Sequence, residues 1–195
     1  MTRPFRIWED VYAVGGPDLS HPYDCAVYLV AAGHDLVLID SGAGESFNRL
    51  VDNVRSLGFE ADRITAVIAT HAHLDHSGNI PQLYKRGYRG KTYLADVTFD
   101  LCSILLHDSV SVQKKRGLEP NFLPSHITQF QHFSEIVEYN QSLSFKKSAI
   151  ELKNAGHIPG ASMILLESQG KRILYTGDVK FEETMLTKGA DTKIK

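Results

Sequence analysis

The sequence predicts an α/β domain with a two-sheet core. Three observations carry that expectation. Short β-branched runs alternate with helical periodicities over the first half of the chain, strand signals dominate from Ile136 onward, and 195 residues at 43% hydrophobic and 23% charged are enough for one self-sufficient core. Neither a repeat nor a Pro- or Ser-rich linker divides the chain, so residues 1–195 read as one domain.

The elements follow in order. Cys25–Val30 and Leu36–Ile39 are apolar runs joined across Gly33-His34, which predicts a hairpin buried on both faces. Ser41-Gly42-Ala43-Gly44 is a turn. Phe47, Leu50, Val51, Val54 and Leu57 recur at helical spacing, and Gly58 stands where a glycine terminates a helix. A strand is expected over Ile64–Ala69. A helix follows from Asn79 or Ile80 to Arg86, with Pro81 in its first turn, and then a strand over Lys91–Ala95. Residues 97–115 carry Phe99, Leu101, Cys102, Leu105 and Leu106 in a helix-like pattern closed by Lys114-Lys115-Arg116-Gly117. Four strands complete the reading: Ile136–Tyr139, Ala149–Lys153, Met163–Glu167 and Arg172–Tyr175.

Composition excludes several classes. The longest apolar run, Ala26–Ala32, is far short of the roughly 20 residues of a spanning helix, and the N-terminal residues lead into no signal-type apolar segment. A cytoplasmic location and no membrane association are therefore expected. Cys25 and Cys102 belong to no C-x-x-C pair, which argues against a disulfide framework, and the stripe around Cys102 reads as a buried, inert thiol. A formal charge of −2 gives no global basic footprint.

Nine histidines are the oddity, and their placement carries the chemistry. His71-x-His73-x-Asp75-His76 sits at the end of a buried strand, where rigid backbone holds three imidazoles and a carboxylate in a common space. Such borderline ligands suit Zn²⁺, with Mn²⁺ or Fe²⁺ as alternatives and one or two ions as the stoichiometry. Without a metal, these groups would desolvate one another with no compensation. His157, in Gly156-His157-Ile158-Pro159-Gly160, and Asp178, in Tyr175-Thr176-Gly177-Asp178, also follow strands and join the cluster as ligands.

These motifs, with the strand-end Asp40 of Ile39-Asp40-Ser41-Gly42, resemble the metallo-β-lactamase superfamily over most of the chain. The resemblance implies an αββα sandwich with a dinuclear site at one edge of the sheets. It implies that His71, His73 and His157 hold one metal, that Asp75 and His76 hold a second, that Asp178 bridges, and that Asp40 orients the ligand loop from behind. It further implies a hydrolase in which Asp75 is the catalytic residue, orienting the water nucleophile and accepting its proton. Residues 71–191 look like the β-CASP RNA nucleases, with Ser77-Gly78-Asn79-Ile80-Pro81, Leu106-His107-Asp108-Ser109 and Leu174-Tyr175-Thr176-Gly177-Asp178 carrying the match. The stretch from Ala26 to Gly44 looks as much like the glyoxalase II and lactonase branch. The nuclease branch, with RNA as partner and a phosphodiester as electrophile, is the favoured expectation; a thioester or lactone hydrolase is the alternative.

The superfamily pattern supplies a further histidine to the second metal, downstream of the bridging aspartate, and none of the 17 residues after Asp178 is histidine. The expectation is that a C-terminal part of the domain is missing, together with the β-CASP domain. His21, His34, His107, His126 or His132, a second copy of the chain, or a partner polypeptide would then complete the site. A non-catalytic or split-enzyme module is the third reading. Residues 141–195 carry nine Lys or Arg against six acidic residues, an excess a solvated face explains as well as RNA does.

Overall fold

The computed structural model describes residues 2–194. Strands β1 (Phe5–Trp8), β2 (Val11–Gly15), β3 (Val27–Ala32) and β4 (Asp35–Ile39) form an antiparallel meander. It continues in parallel through β5 (Ile64–Ile68), β6 (Lys91–Leu94) and β7 (Ser134–Ile136), making one seven-stranded sheet in sequential order. A second, antiparallel sheet has the order β11 (Lys171–Tyr175), β10 (Ser162–Ser168), β9 (Ser148–Asn154), β8 (Ser142–Phe145). The helices are α1 (Phe47–Ser56), α2 (Leu74–Ser77), α3 (Ile80–Lys85), α4 (Asp96–Lys115) and α5 (Pro124–Phe133). None is long and apolar enough to cross a membrane.

Alternation along the central strands explains the layering. Leu29, Leu36, Leu38 and Val67 face a helical layer that contributes Phe47, Leu50 and Val54 from α1, Cys102, Leu106 and Val110 from α4, and Ile127 and Phe130 from α5. Their neighbours Val30, Val37, Ile39, Ala66 and Ile68 point the other way and pack on Ile150, Leu152, Ile164 and Leu166 of the second sheet. The described residues thus provide successive α, β and β layers; no helix covers the outer face of the four-stranded sheet among them.

Several expected elements shift, and each shift has a cause. The strand expected at Ile136–Tyr139 lies instead at Ser134–Ile136, paired in parallel with Thr92–Leu94. Val137 and Tyr139, whose apolarity suggested the strand, lie past its end and pack between the sheets, Val137 N still donating to Leu94 O at 3.0 Å. The β1–β2 hairpin, β8, the single turn α2 and helix α5 were not anticipated. All four residues of β1 are exposed, so it lacks the alternation that marks a strand. Helix α5 buries only Ile127 and Phe130, a stripe too thin to stand out in sequence.

The parallel strands β4, β5 and β6 end at the same edge, and the chain emerges there at Asp40, Thr70 and Ala95. Open α/β sheets present their functional residues at such an edge. β9 and β11, both antiparallel to β10, deliver Ala155–Gly160 and Thr176–Asp178 to that edge.

Candidate metal centre

The loop after β5 begins with Thr70, whose N–H donates to Asp40 Oδ1 at 2.8 Å. It runs into His71 and His73 and then turns into α2, so that Asp75 and His76 leave from the first helical turn. His76 N and Ser77 N both donate to the His73 carbonyl at 3.0 Å. This turn folds a linear motif so that its side chains face one space.

Four side chains meet in the first cluster. His71 Nε2 lies 3.1 Å from His73 Nδ1 and His157 Nε2 lies 3.3 Å from the same nitrogen. Asp178 Oδ2 stands 3.5 Å from His157 Nε2 and 3.9 Å from His71 Nε2. The ligand atoms of these four residues all fall within 4.8 Å of one another. A cation at the centre of this group would satisfy the lone pairs of all three imidazoles and the carboxylate at once. His71 is 1% exposed, and burial together with the charges of His76, His73 and His157 holds its pKa down to about 2. It is neutral and ready to donate a lone pair.

The second cluster lies on the other side of Asp178. His76 Nε2 is 3.7 Å from Asp178 Oδ1 and 3.5 Å from Asp75 Oδ2. It is a buried nitrogen with no hydrogen-bond partner. Buried polar atoms are rarely left so, and an orphaned Nε2 facing two carboxylates is what a metal position requires. The opposite ring nitrogen, Nδ1, lies 2.8 Å from Asp40 Oδ2. Burial opposes protonation of His76, and the charges of Asp40, Asp75 and Asp178 outweigh it, so its pKa rises.

Asp40 is fully buried, with φ of 58°, and accepts hydrogen bonds from Thr70 N, Thr70 Oγ1 and Tyr175 Oη besides the imidazole. Sequence reasoning missed Thr70 and Tyr175, which reach Asp40 across 30 and 135 positions. It also missed Asp24, 4% exposed, whose Oδ1 accepts Ala43 N–H at 2.8 Å and whose Oδ2 accepts the Ser20 and Ser46 hydroxyls. That carboxylate pins the loop beside the site. No short-range pattern signals it.

The five spare histidines go elsewhere. His21 pairs with Glu45 at 3.4 Å, His34 occupies the β3–β4 turn, His107 and His132 are exposed on helices, and His126 Nδ1 accepts the Leu123 N–H at 3.0 Å. None joins a metal-competent cluster among the described residues. Cys102 is fully buried in α4, and burial pushes its thiol up to about 12.

Comparisons with known proteins agree with this geometry. A family model described as the metallo-beta-lactamase superfamily matches residues 22–89. Ribonuclease TTHA0252 of Thermus thermophilus is 32% identical over 154 residues, covering 79% of this chain and 35% of the ribonuclease. The transcription termination factor FttA of Methanocaldococcus jannaschii is 33% identical over 158 residues, covering 79% of this chain and 25% of the factor. The chain therefore spans only 25–35% of the length of these relatives. A metallo-β-lactamase of Cronobacter sakazakii superposes with a TM-score of 0.69 at 22% identity, over 89% of this chain and 64% of that one. The strand-end ligand clusters, the paired sheets and these likenesses converge: the described residues form a domain of the metallo-β-lactamase superfamily, a fold that binds divalent metal.

Proposed function

We propose that this domain is a metal-dependent phosphodiesterase that cleaves RNA, with Zn²⁺ as its resident ion. The observation that carries the reading is the two-sided presentation of Asp178, one carboxylate oxygen toward His71 and His157 and the other toward His76. A bridging carboxylate between two ligand sets is the arrangement that two-ion hydrolysis needs. The ribonuclease relative supports RNA over a thioester or lactone.

On this reading His71, His73 and His157 hold the first ion, His76 and Asp75 hold the second, and Asp178 is shared. Divalent ions bound there supply Lewis acidity, acidifying a water and offsetting charge on the phosphoryl oxygens. Asp75, 43% exposed, keeps one side of its carboxylate open to the cleft, where it orients the attacking water and takes its proton. Asp40 holds His76 in the tautomer whose Nε2 is free. The His157 ring, 27% exposed, forms part of the open wall through which a backbone phosphate reaches the site.

The test is a substrate panel on the metal-loaded chain: single-stranded RNA, a generic phosphodiester, a thioester and a lactone. RNA cleavage that disappears in Asp178→Ala is expected. Faster turnover of the thioester or lactone than of either phosphodiester would overturn the assignment.

A further inference from the structure

The metal centre sits at one end of the parallel strands. At the other end, where β5 and β6 begin, a cavity of about 560 Å³ opens between α1, α3 and the 3₁₀ turn Ala61–Arg63. β5 spans the distance between the two, five residues at roughly 3.3 Å each or about 16 Å, and the cavity shares no residue with the metal-ligand clusters. Its size is that of a small-molecule site, and it has the lining of one, an apolar floor with a few polar groups.

The floor is made by Phe47 and Val51 of α1, Ile64 of β5, Leu83 of α3 and Tyr88. The charged groups are three arginines, Arg55, Arg86 and Arg89, against one carboxylate, Asp62, a local charge of +2 on a chain whose net charge is −2. None of these arginines pairs with a carboxylate among the described residues. Two of them are nevertheless held in place. The Arg86 guanidinium lies over the Phe47 ring, 5.4 Å from its centroid, and donates to Asn48 Oδ1. Arg89 Nη1 donates to the Tyr88 carbonyl at 2.7 Å and to the Tyr84 carbonyl at 3.5 Å. A guanidinium has five N–H donors, so each keeps several for a ligand after these contacts. Arg55 stands exposed in the last turn of α1.

Guanidiniums without carboxylate partners match the oxygens of a phosphate. Inorganic phosphate alone would leave the apolar floor in water, so the ligand needs an apolar body. The Arg86–Phe47 stack is a flat surface that suits a ring, and Asp62 accepts from a hydroxyl or amino group while repelling a second anion. We propose that this cavity is a second binding site, independent of the metal centre, for a small phosphate monoester carrying a flat ring, of the nucleoside monophosphate kind. Arg55 and Arg89 hold the phosphate, Arg86 backs the ring, and Asp62 takes a hydroxyl or amino donor.

The experiment is titration calorimetry on the full chain, metal-loaded and chelator-treated, with adenosine monophosphate, adenosine and inorganic phosphate in turn. Adenosine monophosphate should bind both forms, and adenosine and phosphate at least roughly tenfold more weakly, since each lacks half of the contacts. Arg55→Glu, an exposed change whose folding circular dichroism checks, should weaken adenosine monophosphate roughly 10–100-fold, the worth of a charge-assisted hydrogen bond. Arg172→Glu makes the same charge change on β11 of the other sheet and should leave binding intact. Arg86→Lys keeps the charge and loses the flat stack, so it should weaken adenosine monophosphate and leave phosphate unchanged. No binding of adenosine monophosphate, binding that vanishes with chelator, or equal losses in Arg55→Glu and Arg172→Glu would overturn the proposal. So would phosphate or adenosine binding as tightly as the monophosphate.

Discussion

Asp40 Oδ2 and His76 Nδ1 lie 2.8 Å apart with both side chains closed to solvent, 0% and 1% exposed. This contact decides which imidazole nitrogen faces the metal position. Asp40→Asn tests it severely, because Thr70 N and Oγ1 donate to Oδ1 while His76 Nδ1 and Tyr175 Oη face Oδ2. Whichever way the amide turns, its NH₂ meets a donor. The expected result is a loss of about 1–3 kcal/mol in stability from the unsatisfied group. The second ion should also bind roughly 10–100-fold more weakly, read by competition with a chromophoric chelator. Unchanged affinity would mean that Asp40 does not set the tautomer.

The contrast between what is legible here and what is not follows from distance along the chain. His71, His73, Asp75 and His76 stand within six residues and announce themselves, and His157 and Asp178 are flagged by the glycine turns that follow their strands. Tyr175 reaches Asp40 across 135 positions and Asp24 reaches Ala43 across 19, through contacts that exist only once the sheets have closed. The same holds for the fold. Helix α1, with Phe47, Leu50 and Val54 in one stripe, could be placed to within a residue, while β1 is exposed throughout and β7 carries the polar Ser134 and Glu135 at an edge. Edge strands lack the burial that writes alternation into a sequence.

Asp178 and Asp75 should differ in their hold on metal. Asp178 Oδ2 approaches His157 and His71 at 3.5 and 3.9 Å while its Oδ1 approaches His76 at 3.7 Å; Asp75 approaches only His76, at 3.5 Å. Asp178→Ala therefore removes a donor from both positions and Asp75→Ala from one. Elemental analysis of the purified variants should find less metal in Asp178→Ala. Equal retention would show that Asp178 is not a bridge.

Gly156 positions His157, and its conformation leaves no room for a side chain. Its φ is 68°, and a Cβ there would strike the Lys180 carbonyl and the Ala190 amide. That backbone is stitched in place, with Lys180 N donating to Ala155 O at 2.9 Å and Ala190 N to Lys180 O at 2.8 Å. Gly156→Ala should pay the left-handed strain of about 1–2 kcal/mol and also push His157 out of line with His71 and His73. Gly58 is the control, since its φ is 85° but no atom lies within 4 Å of the added methyl. Gly58→Ala should lose stability alone and keep its metal, whereas Gly156→Ala should lose the first ion as well. Calorimetry with metal analysis separates the two; equal metal content in both variants would detach Gly156 from the site.

Removing metal should lower the melting temperature by a calculable amount. The clusters around His71 and His76 assemble only in the folded chain, because His157 and Asp178 come from positions far from the loop at 71–76. An ion that binds the native state alone stabilises it by RT ln(1 + [M]/Kd), about 2.7 kcal/mol at a hundredfold excess over Kd. For a chain of this size each kcal/mol moves the midpoint by roughly 2–4 °C, so stripping one ion should cost about 5–11 °C. The shift should grow with the logarithm of free metal and be smaller in Asp178→Ala, whose remaining donors bind less. A melting temperature unaffected by chelator or by added Zn²⁺ in the parent chain would mean that the imidazoles meet for packing, and the metal centre would have to be abandoned.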